Sequence, residues 1–294
     1  MSRRGWFLFI LTGFLWGVPY LFIRVAVDTD NGFTPAIVVC LRTAIGAAIL
    51  LPWAIKEKSL MSAIRGMKYV LPYAFLEMIG PWILIGTAEQ KIPSGLAGLL
   101  VATVPIWATI FASMQGDKSV WHHKRLFGLV IGFVGLVLVV GIESIKGTSD
   151  PLSIGMVLLA SLGYSYAVMF VVKGLPGVSG VAINAVAMVL TSIFYAPFAI
   201  HQWPSHHIAA SAIWSIIGLG VLSTGVAFAI FFSLTPIIGV ARASLVTYLN
   251  TAFAVVLGTI ILDEDFTIGI AIGLPLVLIG SYFASRKSEV AAHV

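Results

Sequence analysis

A succession of long apolar runs, separated by charged residues, prolines and glycines, constrains this chain more than any other feature. Each run is close to the ~20 residues that an α-helix needs to cross the hydrocarbon core of a bilayer. Backbone groups in lipid must bond within their own segment, and the runs lack the alternation of barrel strands, so we predict helices. The predicted spans are residues 6–27, 34–55, 67–88, 93–114, 124–142, 153–173, 178–200, 212–233, 239–262 and 266–286.

The composition agrees with a chain whose solvent is mostly lipid. Of the 294 residues, 59% are hydrophobic and 10% are charged, against about 45–50% and 25% in soluble domains. We therefore predict an all-α membrane protein with ten transmembrane helices. The first run, Trp6 to Val27, is too long for a signal-peptide core and is taken as the first span. Cys40 is the single cysteine, so cysteine usage does not indicate the compartment.

Lysine and arginine positions predict the orientation of the spans. If both termini are cytoplasmic, only Lys91 and Lys146 of the 17 basic residues fall in outer loops. Arg24 and Arg42 lie within runs, and all the others fall on the cytoplasmic side, as the positive-inside rule requires. Acidic residues, Glu89 among them, fall mainly in the outer loops. The basic residues are scattered over short loops, so they do not indicate a nucleic-acid partner.

The chain also repeats itself. The sequence IPSGLA at 92–97 opens a run that ends near Asp117, and IGVARA at 238–243 opens a similar run that ends near Asp263. A glycine-spaced helix follows in both cases. Each repeat holds five spans, and because five is odd the second copy is inverted relative to the first. Inverted repeats are typical of secondary transporters, whose substrate site lies near the midplane.

The repeat divides the chain into two predicted units and a tail. The first unit is 6–142, the second is 153–286, and 287–294 is a cytoplasmic tail. Small-x-x-x-small pairs at Gly13–Gly17, Gly128–Gly132 and Gly269–Gly273 predict close helix packing, within one protomer or in a homodimer.

Glu77 is the one carboxylate of twelve that lies in the middle of a run. An ionisable group at that depth costs at least about 2.5–3.5 kcal/mol, so it usually marks a pathway or a pair. One interpretation is a proton-coupling or cation-binding group. The other is an ion pair with Arg42, which lies at comparable depth on the second run. Arg42 could instead hold a substrate carboxylate.

Aromatic and amide side chains deep in the runs predict an aromatic-lined cavity. Deep Trp and Tyr need a partner for their polar tip, or a wet cavity. Helix packing is the alternative for any one of them, and an interhelical hydrogen bond is the alternative for the amides. The candidate substrate-binding residues are Trp16, Arg42, Trp82, Trp107, Tyr164, Asn184, Tyr248 and Asn250.

Signatures of enzymes are missing from the sequence. There is no HExxH, no P-loop and no GxSxG. The adjacent pairs His122-His123 and His206-His207 are interpreted as solvated loop histidines. We therefore expect no catalytic residue, no metal site, no cofactor and no ATP-driven transport by this chain alone.

Leu15-Trp16-Gly17, and residues 220–228 with 238–249, carry a resemblance to a known family. The first is similar to the opening motif, and the others resemble the second repeat, of the EamA branch of the drug/metabolite transporter superfamily. Asp263-Glu264 stands where the family has a terminal Gly-Glu pair. The resemblance covers residues from about 8 to 286. It implies ten helices in two inverted five-helix repeats, both termini cytoplasmic, and export or exchange of small metabolites.

The chain departs from the family pattern in the ninth span. The family has a proline in the middle of the fourth and ninth helices; Pro105 keeps the first, but Asn250-Thr251 replaces the second. We therefore expect the ninth helix to lose a kink and to gain a polar amide.

The leading hypothesis is a secondary transporter in a bacterial-type inner (plasma) membrane, exporting a small metabolite such as an amino acid by proton exchange or facilitation. A membrane-embedded enzyme or lipid-handling protein would need a second buried acid, base or metal set near Glu77, which the sequence does not offer. A non-transporting partner subunit would have little use for costly buried groups such as Glu77 and Arg42.

Overall fold

The computed structural model describes residues 2–116, 122–145, 150–238, 243 and 245–285, and these residues form helices without any strand. A short helix, Leu60–Arg65, precedes the third long one. The long helices are α1 (Arg3–Ala26), α2 (Pro35–Lys56), α3 (Met67–Ala88), α4 (Ser94–Met114), α5 (His123–Ile145), α6 (Pro151–Gly174), α7 (Gly180–His201), α8 (Ala210–Ile238), α9 (Val246–Ile261) and α10 (Ile268–Ser285).

Seven of the helices in the described ranges, α1 to α4 and α6 to α8, are long and apolar enough to cross a membrane. Helix α9 and the described part of α10 are shorter apolar helices. The predicted spans match the described helix bounds within a few residues, with two exceptions: α8 continues five residues beyond the predicted end at 233, and α9 begins at Val246 rather than at 239. Part of the predicted span 239–262, the loop cations Lys118 and Lys146, and the predicted tail 287–294 lie outside the described residues.

The outer surface of the bundle is apolar. Large side chains in the middle of several helices are about half exposed or more. A water-soluble monomer rarely exposes so continuous an apolar surface. These side chains therefore face lipid, and the chain is a multi-pass membrane protein. Examples are Phe133 of α5, Leu159 of α6, Ile193 of α7 and Val256 of α9.

Helix packing follows a regular scheme. Helix α2 packs on α7, and α5 packs on α10. Helix α1 packs on α8 and α9, whereas α6 packs on α3 and α4. Glycines allow two of the closest approaches: a Cβ at Gly17 would lie 2.8 Å from the Asn250 carbonyl oxygen, and one at Gly280 would collide with the Gly132 nitrogen. The predicted small-residue motifs at Gly13–Gly17 and Gly128–Gly132 thus pack helices within one chain.

Helices α3 and α8 each contain a π-helical segment, Phe75–Ile79 in α3 and Leu219–Val226 in α8. Such segments widen the helix and are frequent at functional sites. Glu77 lies in the first of them.

Helix α4 is interrupted at Ala102 and Thr103, shortly before Pro105, because a proline nitrogen cannot donate to the preceding turn. Hydroxyl groups of other helices bond the carbonyls around the interruption. Ser161 donates to the Leu100 oxygen at 3.3 Å, Ser281 to the Ala102 oxygen at 2.9 Å, and Ser165 to the Val104 oxygen at 2.8 Å. Backbone at membrane depth is thereby satisfied. Helix α9, in contrast, runs without a break through Asn250 and Thr251.

Candidate functional site

A cavity of about 800 Å³ lies between the helices. Its mouth is formed by the loop between α6 and α7, including Leu175 and Gly177, and by Arg125 at the start of α5. Its deep end is lined by Tyr20, Ile23 and Ile85. The volume is that of a small-molecule site. The cavity therefore enters the bundle from one end and stops before the other.

The structure brings together all but one of the predicted substrate-binding residues. The seven that line the cavity are joined there by Glu77. They are Trp16, Arg42, Trp82, Tyr164, Asn184, Tyr248 and Asn250.

Trp107 is not among the lining residues, and its predicted place in the cavity wall is wrong. Its indole N–H donates to the Thr103 hydroxyl at 3.1 Å, one turn earlier in the same helix. A deep tryptophan needs a partner for this group, and α4 supplies that partner itself. The position of Trp107 along its apolar run therefore did not reveal the direction of its side chain.

Arg42 lies near the deep end of the cavity and is 5% exposed. Its guanidinium carbon is 3.8 Å from the centroid of the Trp82 ring, a cation–π contact. One terminal nitrogen, Nη2, donates to the Thr224 hydroxyl at 3.2 Å. Its Nε has no hydrogen-bond partner within the described part of the chain. A cation held over an aromatic ring, with one N–H donor unused, is suited to bind an anionic group.

Glu77 does not pair with Arg42. In the described ranges, the one ion pair of this chain joins Lys91 and Asp150 at 3.8 Å. The Glu77 Oε2 atom is buried and has no hydrogen-bond partner among the described residues. The structure therefore does not contain the ion pair that was one interpretation of Glu77. The other interpretation, a coupling role, stays a prediction.

The two amides occupy different surroundings. Asn184 accepts from the Tyr73 hydroxyl at 3.1 Å and donates to the Gly180 carbonyl at 2.9 Å. Asn250 accepts from the hydroxyl of its neighbour Thr251 at 3.3 Å. Both side chains are almost fully buried but reach the cavity wall. They add two neutral polar points to a cavity lining that is largely apolar.

Aromatic rings form another part of the cavity wall, which we name the aromatic wall. The Trp16 ring lies 4.6 Å from Phe231 and 5.5 Å from Phe228, centroid to centroid. The Tyr248 ring lies 6.5 Å from that of Tyr282. Flat or apolar parts of a ligand would pack against these faces.

Sequence reasoning missed other lining residues. Tyr20 lies one turn after Trp16 on the same face of α1, and that i, i+4 spacing could have revealed it. Arg125 was counted only as a loop cation. Tyr73, Ser223 and Phe228 have no distinguishing signal in a chain this rich in similar residues.

The deep end of the cavity is closed by a polar layer, which we name the outer layer. It consists of Tyr20, Arg24, Glu89, Ser94 and Glu264. The Glu264 carboxylate accepts from the Ser94 backbone N–H at 2.7 Å, the Ser94 hydroxyl at 2.9 Å and the Gly95 N–H at 3.0 Å. It therefore caps α4, where the helix dipole favours negative charge. Arg24 donates to the Glu89 backbone oxygen.

The backbone before Glu264 explains the family's terminal Gly-Glu pair. Asp263 has a φ of 51°, in the left-handed region. Glycine adopts this region freely and aspartate tolerates it. The left-handed residue ends α9 and places the next carboxylate over the first turn of α4.

Apolar faces toward lipid, a helix interrupted at depth and a cavity that ends inside the bundle are typical of membrane transporters. The chain belongs to the EamA-like transporter family, whose model matches residues 3–141 and 151–286, and hence to the drug/metabolite transporter superfamily.

Named relatives agree with this assignment. The chain is 26% identical to "Uncharacterized transporter YoaV" of Bacillus subtilis, over 93% of this chain and 95% of the relative. It is 25% identical to an "Uncharacterized transporter" of Archaeoglobus fulgidus, over 97% and 99%. It is 23% identical to "Uncharacterized inner membrane transporter YedA" of Escherichia coli, over 94% and 91%. These names indicate a transporter rather than an enzyme.

A solved crystal structure shares the fold. It aligns with 97% of both chains at a TM-score of 0.66 and 17% sequence identity. At this identity the likeness concerns the fold alone.

Proposed function

We propose that the chain is a secondary transporter that exports or exchanges small metabolites, such as amino acids, by alternating access. The observation that carries the proposal is the cavity with one mouth, whose deep end holds the Arg42–Trp82 pair. Its substrate would bind between that pair and the aromatic wall. Rearrangement of the outer layer would then open the same site to the other side of a bacterial-type inner (plasma) membrane.

Helix packing supports two inverted repeats at 6–142 and 153–286. Exchanging α1–α5 with α6–α10 leaves the pairs α2–α7 and α5–α10 unchanged. The same exchange turns the packing of α1 on α8 and α9 into that of α6 on α3 and α4. The π-helical segments also fall in the third helix of each half. Ten spans with both termini cytoplasmic accommodate this scheme.

The orientation inferred from the basic residues supports an inward-open cavity. Lys56, Lys68 and Lys173 lie at the same end of the bundle as the mouth. Under the positive-inside rule that end is cytoplasmic. The outer layer then separates the cavity from the exterior.

The chemistry of the lining favours an amphipathic substrate with an anionic group. Arg42 offers a fixed cation whose planar geometry suits a carboxylate. Asn184 and Asn250 offer neutral polar contacts, and the Trp16 wall suits an apolar side chain. A homodimer is compatible with this arrangement and is not required by it, because the cavity is formed by one chain.

We test the proposal by reconstituting the full chain in liposomes and measuring uptake of a panel of labelled metabolites, with and without a pH gradient. We expect saturable uptake of carboxylate-bearing solutes. If no solute of the panel crosses faster than in protein-free liposomes under any gradient, the proposal is wrong.

Glu77 is proposed as the coupling residue, because a carboxyl with an unpaired oxygen in the middle of α3 is costly unless it binds a proton or cation. Glu77→Gln should bind substrate but lose the response of uptake to a pH gradient. Asp30→Asn, at an exposed loop carboxylate, is the control and should respond as the unmodified chain does. Unchanged pH dependence in Glu77→Gln would show that Glu77 does not couple.

A further inference from the structure

Glu89 does not lie in a solvated loop, as its position in the sequence suggested. It follows directly after α3 and is 0% exposed. Both of its carboxylate oxygens lack a hydrogen-bond partner within the described residues. An ionised carboxylate without partners is very costly to bury, whereas a protonated one costs far less. The closed outer layer is therefore compatible with a neutral Glu89 carboxyl.

The charged and titratable groups around Glu89 come from three other elements. Arg24 and Tyr20 face it from α1, Arg42 from α2, and Glu264 from the segment after α9. Neither arginine forms an ion pair with it in the described part of the chain. Arg24 bonds the Glu89 backbone oxygen instead, and the guanidinium of Arg42 lies on Trp82. The cations are thus close, but they are engaged elsewhere.

Glu89 lies between two cavities and lines neither of them. The substrate cavity stops at Tyr20 and Ile85 on one side. On the other side a second cavity of about 520 Å³ is lined by Arg24, Lys91 and Glu264. The outer layer between them is held by the cap that Glu264 places on α4. Separation of that cap would admit water from the second cavity to Glu89.

Opening would also change the partners of the carboxyl. If α1 and α3 separate, Arg24 loses the Glu89 backbone oxygen and becomes available to the side chain. A hydrated carboxylate beside a free guanidinium is stable in its ionised form. Protonation would thus favour the closed layer, and deprotonation the open one.

We propose that Glu89 is a proton-binding site of the outer layer. Its carboxyl group holds a proton when the layer is closed and releases that proton to the exterior when the layer opens. The proposal rests on the proposed transport function and adds a site to it. It makes opening of the outer layer depend on external pH, independently of the substrate.

The test measures how fast a buried cysteine in this layer reacts with a membrane-impermeant thiol reagent added outside. Ile92, 1% exposed beside the second cavity, is replaced by Cys in the full chain carrying Cys40→Ala. Because thiol reactivity itself rises with pH, each rate is divided by that of Ser211→Cys, an exposed position at the same cavity. We expect this ratio to rise with external pH, by up to about tenfold per unit below the apparent pKa of the site.

Variants of the carboxylates identify the group. In Glu89→Gln the ratio should stay low at every pH, because the side chain is permanently neutral. Glu89→Met, neutral and of similar length, repeats the test if Gln is poorly tolerated. Asp265→Asn removes a neighbouring exposed carboxylate and should retain the rise. A rise that persists in both Glu89 variants overturns the proposal and leaves the transport function intact.

Glu264→Ala separates the two possible failures. Removal of the cap should raise the ratio at every pH. If Ile92→Cys stays unreactive at all pH values even in this variant, the outer layer does not open, and alternating access fails together with the Glu89 site. If Glu264→Ala reacts and the unmodified layer shows no pH dependence, only the Glu89 proposal is wrong.

Discussion

At the scale of single residues, the pair of Arg42 and Trp82 is the most specific feature of the cavity. The two side chains come from α2 and α3 and meet at 3.8 Å near its deep end. A buried arginine usually has several hydrogen-bond partners, but within the described residues the Arg42 side chain donates one hydrogen bond, to the Thr224 hydroxyl. The ring therefore holds the cation in place and leaves donors available for a ligand.

We predict that Arg42→Lys weakens substrate binding although it keeps the charge. Lysine lacks the guanidinium group that lies over the Trp82 ring, and such cation–π contacts contribute about 0.5–2 kcal/mol. The dissociation constant of a substrate found in the panel should rise about tenfold, which corresponds to ~1.4 kcal/mol. It is measured by titration calorimetry on purified protein.

Trp107→Phe is the matched control, because this tryptophan bonds Thr103 within its own helix and does not line the cavity. The dissociation constant of the substrate from Trp107→Phe should equal that from the unmodified chain. Equal affinity in Arg42→Lys and Trp107→Phe would remove Arg42 from the site.

Residue positions could be predicted only in part, for a geometric reason. An apolar run fixes how deep a residue lies but not the direction of its side chain. Trp16 and Trp82 line the cavity, whereas Trp107, at similar depth, bonds its own helix. Glu89 shows the opposite error: a position beyond the end of a run suggested solvent, but the packing of α1 and the Glu264 segment buries it.

At the scale of helices, close packing depends on glycines that let two backbones meet. Gly280 of α10 lies against Gly132 of α5, with backbone atoms of α5 where a side chain would be. A backbone cannot move aside as the end of a flexible side chain can. This contact joins the last helices of the two proposed repeats, α5 and α10.

We predict that Gly280→Ala lowers the stability of the protein by about 1–3 kcal/mol, the usual cost of overpacking. Gly155→Ala is the control, since nothing lies within 4 Å of a Cβ at that helical position. It should be neutral, or gain up to about 1 kcal/mol from helix propensity. Thermal unfolding in detergent measures both; equal melting temperatures would show that α5 and α10 are not in close contact.

Helix existence and bounds were the most predictable features, because length and hydropathy in lipid determine them almost alone. The run 67–88 coincides with α3. The π-helical segments and the hydroxyl bonds around Pro105 were not predictable, since they depend on which helices become neighbours. The loss of the ninth-helix proline did predict an unbroken helix through Asn250.

At the scale of the whole molecule, a cavity open at one end and a polar layer at the other correspond, under the proposed alternating access, to one state of the transport cycle. The packing of α1 on α8 and α9 mirrors that of α6 on α3 and α4. A conformation open at one end of the bundle and one open at the other would then have similar packing and similar free energies. A protein that alternates between two conformations requires such a small difference. The same site would face each side of the membrane in turn.

Exchange across a liposome membrane tests this central claim most directly. Liposomes containing the chain are loaded with unlabelled substrate, and the initial uptake of labelled substrate is compared with that of empty liposomes. Alternating access predicts saturable uptake that preloading accelerates, because the loaded site returns faster than the empty one. Uptake that does not saturate and is unaffected by preloading would contradict the account.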